Sequence, residues 1–252
     1  MDNLYKSIKD DIKNTIKQLM DHSLIYNPSF SDRCCTDYSI ASKLTGPKIN
    51  KNKSYIENYL KFYNNNEYLF LFMDHSFIQV KYDFIKSEAD KRMYVNKANL
   101  NFYPNPGLYD ADILEALKMD NLSEEEQIAL WGELRIDLEQ DFAYHSNYMR
   151  LDYSADPSDF TELTHTKCHI HIGLNNDFRL PTNKLPFLSD FIDLVLFSNY
   201  NKQWQIIHQQ KIENLDSYLM YRKRKNNDYT QLTEFEDVLT EVEQHNYLLK
   251  LI

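Results

Sequence analysis

The sequence is poor in glycine, proline, cysteine and positive charge, and it has no long apolar run. Four Gly and seven Pro in 252 residues are too few for a low-complexity or disordered chain. The three cysteines, Cys34, Cys35 and Cys168, are odd in number, two are adjacent, and none has metal-type spacing. Reduced thiols in a cytosolic protein are the simplest reading. No apolar run approaches the ~20 residues of a membrane span, and the charged start, MDNLYKSIKDD, has no apolar signal-like stretch. A soluble, cytoplasmic protein is expected. Lys and Arg number 28 against 38 Asp and Glu, a net charge of −10. That balance opposes unaided, non-specific nucleic-acid binding, because phosphate neutralisation needs a positive field. A local basic groove or a basic partner subunit is compatible with it. There is no Walker loop, no G-x-S-x-G and no dinucleotide fingerprint.

Aromatic residues, by contrast, are abundant. The 19 Tyr and 14 Phe can fill a large core while keeping polar handles. Residues 2–21 carry Leu4, Ile8, Ile12, Ile16 and Leu19 at helical period, with Lys and Asp opposite. Residues 22–54 read as irregular, with a loop at 42–53, and a short helix follows at 54–63. Strands are expected at 67–73, 76–84 and 92–102. The first two are joined by the short link Asp74-His75 as a hairpin. In the second strand Ile78, Val80, Tyr82 and Phe84 should point inward, against Gln79, Lys81 and Asp83. A short helix near 110–119 precedes a stronger one at 124–143, opened by a capping box from Ser123 to Glu126. Its acidic residues form a solvated face or a partner-docking face. Further helices are expected at 187–197, apolar on nearly all sides, and at 203–220. A basic cluster at 221–225 follows, then an amphipathic helix running from Leu232 to Leu249. This order predicts a single α+β domain over 1–252. About five antiparallel strands form its sheet, with helices packed on one face and amphipathic helices at both termini.

The chemistry concentrates in two stretches, Tyr148-Met-Arg-Leu-Asp-Tyr153 and Cys168-His-Ile-His-Ile-Gly-Leu174. Both alternate as half-buried strands do. Paired antiparallel across the loop 155–167, they place Arg150, Asp152, His169 and His171 on one surface, with His165 on the loop close by.

Three readings compete for that constellation. Two His on one strand face lie roughly 7 Å apart, within reach of one metal ion, with His165, Asp152 or Glu162 as third ligand. Against this stands Arg150, whose fixed cation at 4 Å would repel a unit charge by about 4 kcal/mol at an effective dielectric near 20. That favours an anion and predicts no bound metal. In the second reading Arg150 and Arg179 clamp a phosphate. One His acts as general base, another as general acid, and Asp152 orients a ring. In the third, Arg150 and Asp152 are a structural ion pair and the His residues are merely satisfied beneath a covering helix.

The motif Arg150-Leu-Asp-Tyr153, then Thr164-His-Thr-Lys-Cys-His-Ile-His-Ile-Gly173, then Arg179-Leu-Pro181 resembles an uncharacterised bacterial family classed as a domain of unknown function. Its pattern is R-x-D, H, H-x-H-x-G and R-x-P before an apolar helix. The resemblance implies a place in mobile, defence-type gene neighbourhoods. The same order of residues is similar to that of some small bacterial toxins of toxin–antitoxin pairs. His169 to Leu174 is also similar to the histidine-triad nucleotide hydrolase motif, but Gly173 stands where the third His belongs. The H-x-H metalloprotease pattern fails at Arg179 and Thr182.

The expectation is therefore an effector or toxin-like nuclease or nucleotide phosphodiesterase, without a cofactor, acting on RNA or a nucleotide. Asp152, His165, His169 and His171 are its catalytic candidates, and Arg150 and Arg179 its phosphate binders. The alternative is a non-catalytic subunit that binds or regulates a larger effector protein encoded nearby.

Overall fold

The structure is a computed structural model that describes residues 3–31, 34–42, 50, 53–107, 147–173, 179–213, 232–233 and 238–246. The expected helix at 124–143, the short one near 110–119 and the basic cluster at 221–225 lie outside these residues. The final helix, expected from Leu232, is helical among them only from Glu241, since Leu232, Thr233, Val238 and Leu239 form turns and bends set by the packing of Leu232 and Val238 in the main core. Among the described residues the chain runs α1 (Asn3–Asp21), β1 (Ile25–Tyr26), β2 (Cys35–Thr36), β3 (Ser39–Ala41), α2 (Tyr55–Asn64), β4 (Phe70–Phe72), β5 (Phe77–Lys86) and β6 (Met93–Tyr103). It continues through β7 (Met149–Ser154), β8 (Cys168–Ile172), β9 (Arg179–Pro181), α3 (Leu188–Asn199), α4 (Asn201–Glu213) and α5 (Glu241–Asn246).

The architecture is α+β around one mostly antiparallel sheet. The sheet has nine strands, in the order β1-β4-β5-β6-β7-β8-β9, with β3 on the edge of β5 and β2 on β3. The expectation of about five strands is corrected. The additional strands are two or three residues long, and β1, β2 and β3 fall inside the stretch read as irregular. Such fragments are too short to show a period of two, and partners define them: Ile40 of β3 sits opposite Tyr82 of β5, and Ile25 of β1 opposite Phe72 of β4.

Alternation along the long strands fixes two faces. Ile78, Val80, Tyr82, Leu100, Phe102, Leu151 and Ile170 face one way and are buried with α1 and α3 in the main core. The apolar stripe of α1 (Leu4, Ile8, Ile12, Ile16 and Leu19) belongs to it, as do Leu188, Phe191, Ile192 and Val195 of α3. Asp11 joins the two helices by accepting from the Ser189 backbone N–H at 3.1 Å, one of the donors a helix start leaves unpaired.

Helices are not confined to that face. A second core of Tyr55, Tyr59, Phe62, Phe77, Tyr103 and Tyr148 places α2 on the opposite side, over one end of the sheet. α2 starts at a capping box: Ser54 Oγ accepts from Glu57 N at 3.2 Å, and Ser54 N donates to Glu57 Oε2 at 3.0 Å. The aromatic richness of the chain explains this arrangement, since two separate apolar cores need that much ring surface. Between α2 and the far edge, the second face is polar. Among the described residues no helix is long and apolar enough to cross a membrane.

Candidate functional site

The expected pairing of the two chemistry-bearing strands is present. β7 and β8 run antiparallel with Arg150 opposite His171 and Asp152 opposite His169. On the other side of β7, β6 sets Asn101 opposite Arg150 and Asn99 opposite Asp152. Beyond β8, β9 sets Arg179 opposite His171. Directly opposed residues point to the same face, so two adjoining rows form, Asn101–Arg150–His171–Arg179 and Asn99–Asp152–His169. Buried Met149, Leu151 and Tyr153 on β7 and Cys168 and Ile170 on β8 anchor the strands from below. Ile172, expected on that apolar side, ends its strand 36 % exposed, and Leu174 lies outside the described residues.

The carboxylate is held from three sides. Arg150 Nε approaches Asp152 Oδ2 at 2.7 Å, His171 Nε2 lies 3.5 Å from the same oxygen, and Asn99 Nδ2 donates to Oδ1 at 2.8 Å. The Arg150 contact is an ion pair and not an aligned hydrogen bond, since the buried Nε has no hydrogen-bond acceptor. Arg179 Nε is also buried without a hydrogen-bond partner among the described residues.

The two strand histidines are deeply placed, His169 at 2 % exposure and His171 at 7 %. His169 Nδ1 lies 2.9 Å from the Thr166 carbonyl oxygen. A carbonyl can only accept, so Nδ1 carries the proton and the neutral ring keeps its lone pair on Nε2. That Nε2 is buried without a hydrogen-bond partner among the described residues. Burial pushes the His169 pKa down. It pushes His171 down to about 4, with the Arg150 cation acting the same way and Asp152 opposing. Both rings are therefore neutral at neutral pH and offer lone pairs.

His165 arrives from the loop, its Nδ1 donating to the Asp159 carbonyl. Its ring sits 4.9 Å from that of His169, and the His169 and His171 rings are 4.8 Å apart. One ligand-capable atom from each of Asp152, His169 and His171 falls within 4.8 Å of the other two. A pocket of about 220 Å³ opens beside them, lined among others by Lys97, Asp152, Ser154, His165, Lys167 and His169.

All six residues singled out in the sequence (Arg150, Asp152, His165, His169, His171 and Arg179) thus meet on one face. Glu162 does not; it accepts from Thr240 Oγ1 at 2.7 Å instead. Cys168 lies on the opposite face, its thiol pushed up to about 12 by burial. His75 is a turn residue with φ of 67°, its ring hydrogen-bonded to Tyr26 and Tyr63. Sequence reasoning missed Asn99, Thr166, Lys97 and Lys167. The alternation Lys97, Asn99, Asn101 against Ala98, Leu100, Phe102 was a usable signal for β6, but only once β6 is known to lie beside β7. No curated protein and no solved structure matches the chain. The family described as "Uncharacterized conserved protein (DUF2290)" matches residues 26–251, and the chain belongs to it.

Proposed function

We propose that this face is a phosphodiesterase-type active site, nuclease-like or nucleotide-cleaving, and that the protein acts as an effector or toxin-like component of a defence or toxin–antitoxin locus. The resemblance of the central motif supports the locus. The observation that carries the chemistry is the register itself, which sets Arg150 against His171 and Asp152 against His169.

Arg150 and Arg179 take non-bridging phosphate oxygens, since a guanidinium fork matches that geometry. The lone pairs of Asp152, His169 and His171 activate the attacking oxygen of a water or a ribose hydroxyl. That oxygen bonds to phosphorus as its proton passes to the lone pair of a neutral imidazole, His169 or His171, and the P–O bond to the leaving group breaks. His165 is the least buried of the three histidines and delivers a proton to the leaving oxygen. The pocket, at about 220 Å³, is smaller than the ~300 Å³ of a site that engulfs a drug-sized ligand. It is lined by Lys97, Asp152, His165, Lys167 and His169 and not by the two arginines or His171. It therefore suits the group that flanks the phosphate, with the phosphate itself on the neighbouring arginine row.

The test is turnover of single-stranded RNA and of nucleotides by the purified protein. His171→Ala is expected to lose about 10²–10⁴-fold in rate, the usual worth of a positioned acid–base group, with a melting temperature within a few degrees of the parent. Full activity in that variant would remove the reading. No turnover on any of these substrates, with one stoichiometric protein co-purifying, would favour a non-catalytic subunit.

A further inference from the structure

We infer that Asp152, His169 and His171 hold one divalent transition-metal ion, and that Arg150 is an internal cation occupying the carboxylate until the ion arrives. The inference deepens the phosphodiesterase reading and rests on it for the ion's use, though not for its binding.

Two imidazoles and a carboxylate are the donor set of zinc, manganese and iron(II) sites. Three protein ligands leave an open position, as catalytic sites do and structural ones do not. A bound ion there would act as a Lewis acid on the attacking oxygen.

The strongest sign is His169. Its Nδ1–H is spent on the Thr166 carbonyl, the outer-shell contact that fixes the tautomer and aim of a metal-ligating imidazole. The remaining nitrogen, Nε2, is buried with no hydrogen-bond partner among the described residues on a residue only 2 % exposed. Buried acceptors are ordinarily satisfied, and an orphan calls for an explanation. An ion beside it supplies one. Asp152 is oriented in the same manner, its other oxygen taken by Asn99.

Spacing agrees. Bonds of about 2.1 Å put neighbouring ligand atoms roughly 3–3.5 Å apart. His171 and Asp152 already stand at 3.5 Å, and the full set lies within 4.8 Å, so small side-chain rotations close it.

Arg150 argued against a cation when only the sequence was considered. That argument holds for a guanidinium that stays on the carboxylate, and the inference has Arg150 leave it when the ion binds. Its side chain is 35 % exposed, and its Nε is not aligned on Asp152. When an ion takes the carboxylate, Arg150 can turn outward to an anionic substrate, which both cations then share.

The experiment titrates Zn²⁺ into the full chain calorimetrically, in a Cys34→Ser, Cys35→Ser background so that thiols do not compete. One equivalent is expected. Asp152→Asn and His171→Gln should each weaken binding at least about tenfold. Arg150→Met should tighten it, a gain that a misfolded variant would not show. No saturable binding at micromolar protein, or binding undiminished in both ligand variants, would overturn the site. A protein that binds the ion but cleaves no phosphodiester keeps the site and loses the hydrolase reading. One that cleaves RNA with no ion bound keeps the hydrolase reading and loses the site.

Discussion

Arg150 and His171, directly opposed on β7 and β8, both converge on Oδ2 of Asp152, at 2.7 and 3.5 Å. A carboxylate shared between a cation and a neutral ring is a switchable element. Whatever takes Arg150 away leaves an anionic oxygen beside a neutral imidazole, and whatever takes Asp152 away leaves a cation open to anions. Each partner can therefore be tested by removing it and asking what the other then binds.

Anion binding is the first consequence. Inorganic phosphate or a nucleotide should raise the melting temperature of the protein, because Arg150 and Arg179 flank His171 on the same face, one on each neighbouring strand, and the buried Arg179 Nε has no hydrogen-bond partner among the described residues. Arg150→Met, unbranched and uncharged, should lose most of that rise. Thermal scans with and without phosphate check it, and an undiminished shift in the variant would place the anion elsewhere.

Much of this face was legible beforehand because period-two patterns survive in β7 and β8. Their strict alternation, together with a loop between them, fixed Arg150, Asp152, His169 and His171 as neighbours. Other parts were not legible for physical reasons. Asn99 reaches Asp152 only through the β6–β7 pairing, a contact across 53 residues that no local pattern encodes. The second core, with α2 on the polar side, was hidden as well. Tyr103 lies just past the expected strand 92–102 and Tyr148 reads as an ordinary strand residue, and their role shows only once Tyr55 of α2 is stacked against the first and set edge-on to the second. Strands of two or three residues, such as β1 and β2, exist only through their partners.

Acid should weaken the metal-free fold through His171. In the unfolded chain its imidazole titrates near 6.5, whereas in the folded protein burial and Arg150 hold it down to about 4. Between those values the unfolded state binds the extra proton, so stability falls as pH drops from about 6.5 to 4 and is unaffected by this group above 6.5. Urea midpoints across that window should show the decline, and it should shrink in His171→Asn. A ring titration by NMR with a midpoint near 6.5 would contradict this account.

Thiol chemistry offers an independent check on the strand that carries the two histidines. Cys168 is fully buried beneath β8, and burial raises its pKa to about 12, so thiolate is scarce at pH 8. Native protein should resist iodoacetamide at Cys168 and react there only as the sheet unfolds. Rapid labelling of Cys168 in native protein, read by peptide mass, would show that β8 does not sit as described.

The last prediction concerns Asn99, which lines the pocket beside Asp152 and holds that carboxylate. Its Nδ2 donates to Oδ1 of that carboxylate at 2.8 Å, holding the oxygen in plane while Oδ2 faces His171. Removing the donor leaves Asp152 charged and able to rotate, and outer-shell partners of this kind typically cost about 10–100-fold when lost. Asn99→Leu keeps the volume and removes the hydrogen bond. Because Asn99 is half-buried on a strand held by Ala98 and Leu100 in the main core, the sheet should survive the change. If the proposed active site is right, with the arginines as its phosphate contacts, catalytic rate should fall at least about tenfold with KM little altered. A fall in melting temperature with kcat unchanged would make Asn99 a structural residue only. A rise in KM with kcat unchanged would move it into the substrate-binding surface.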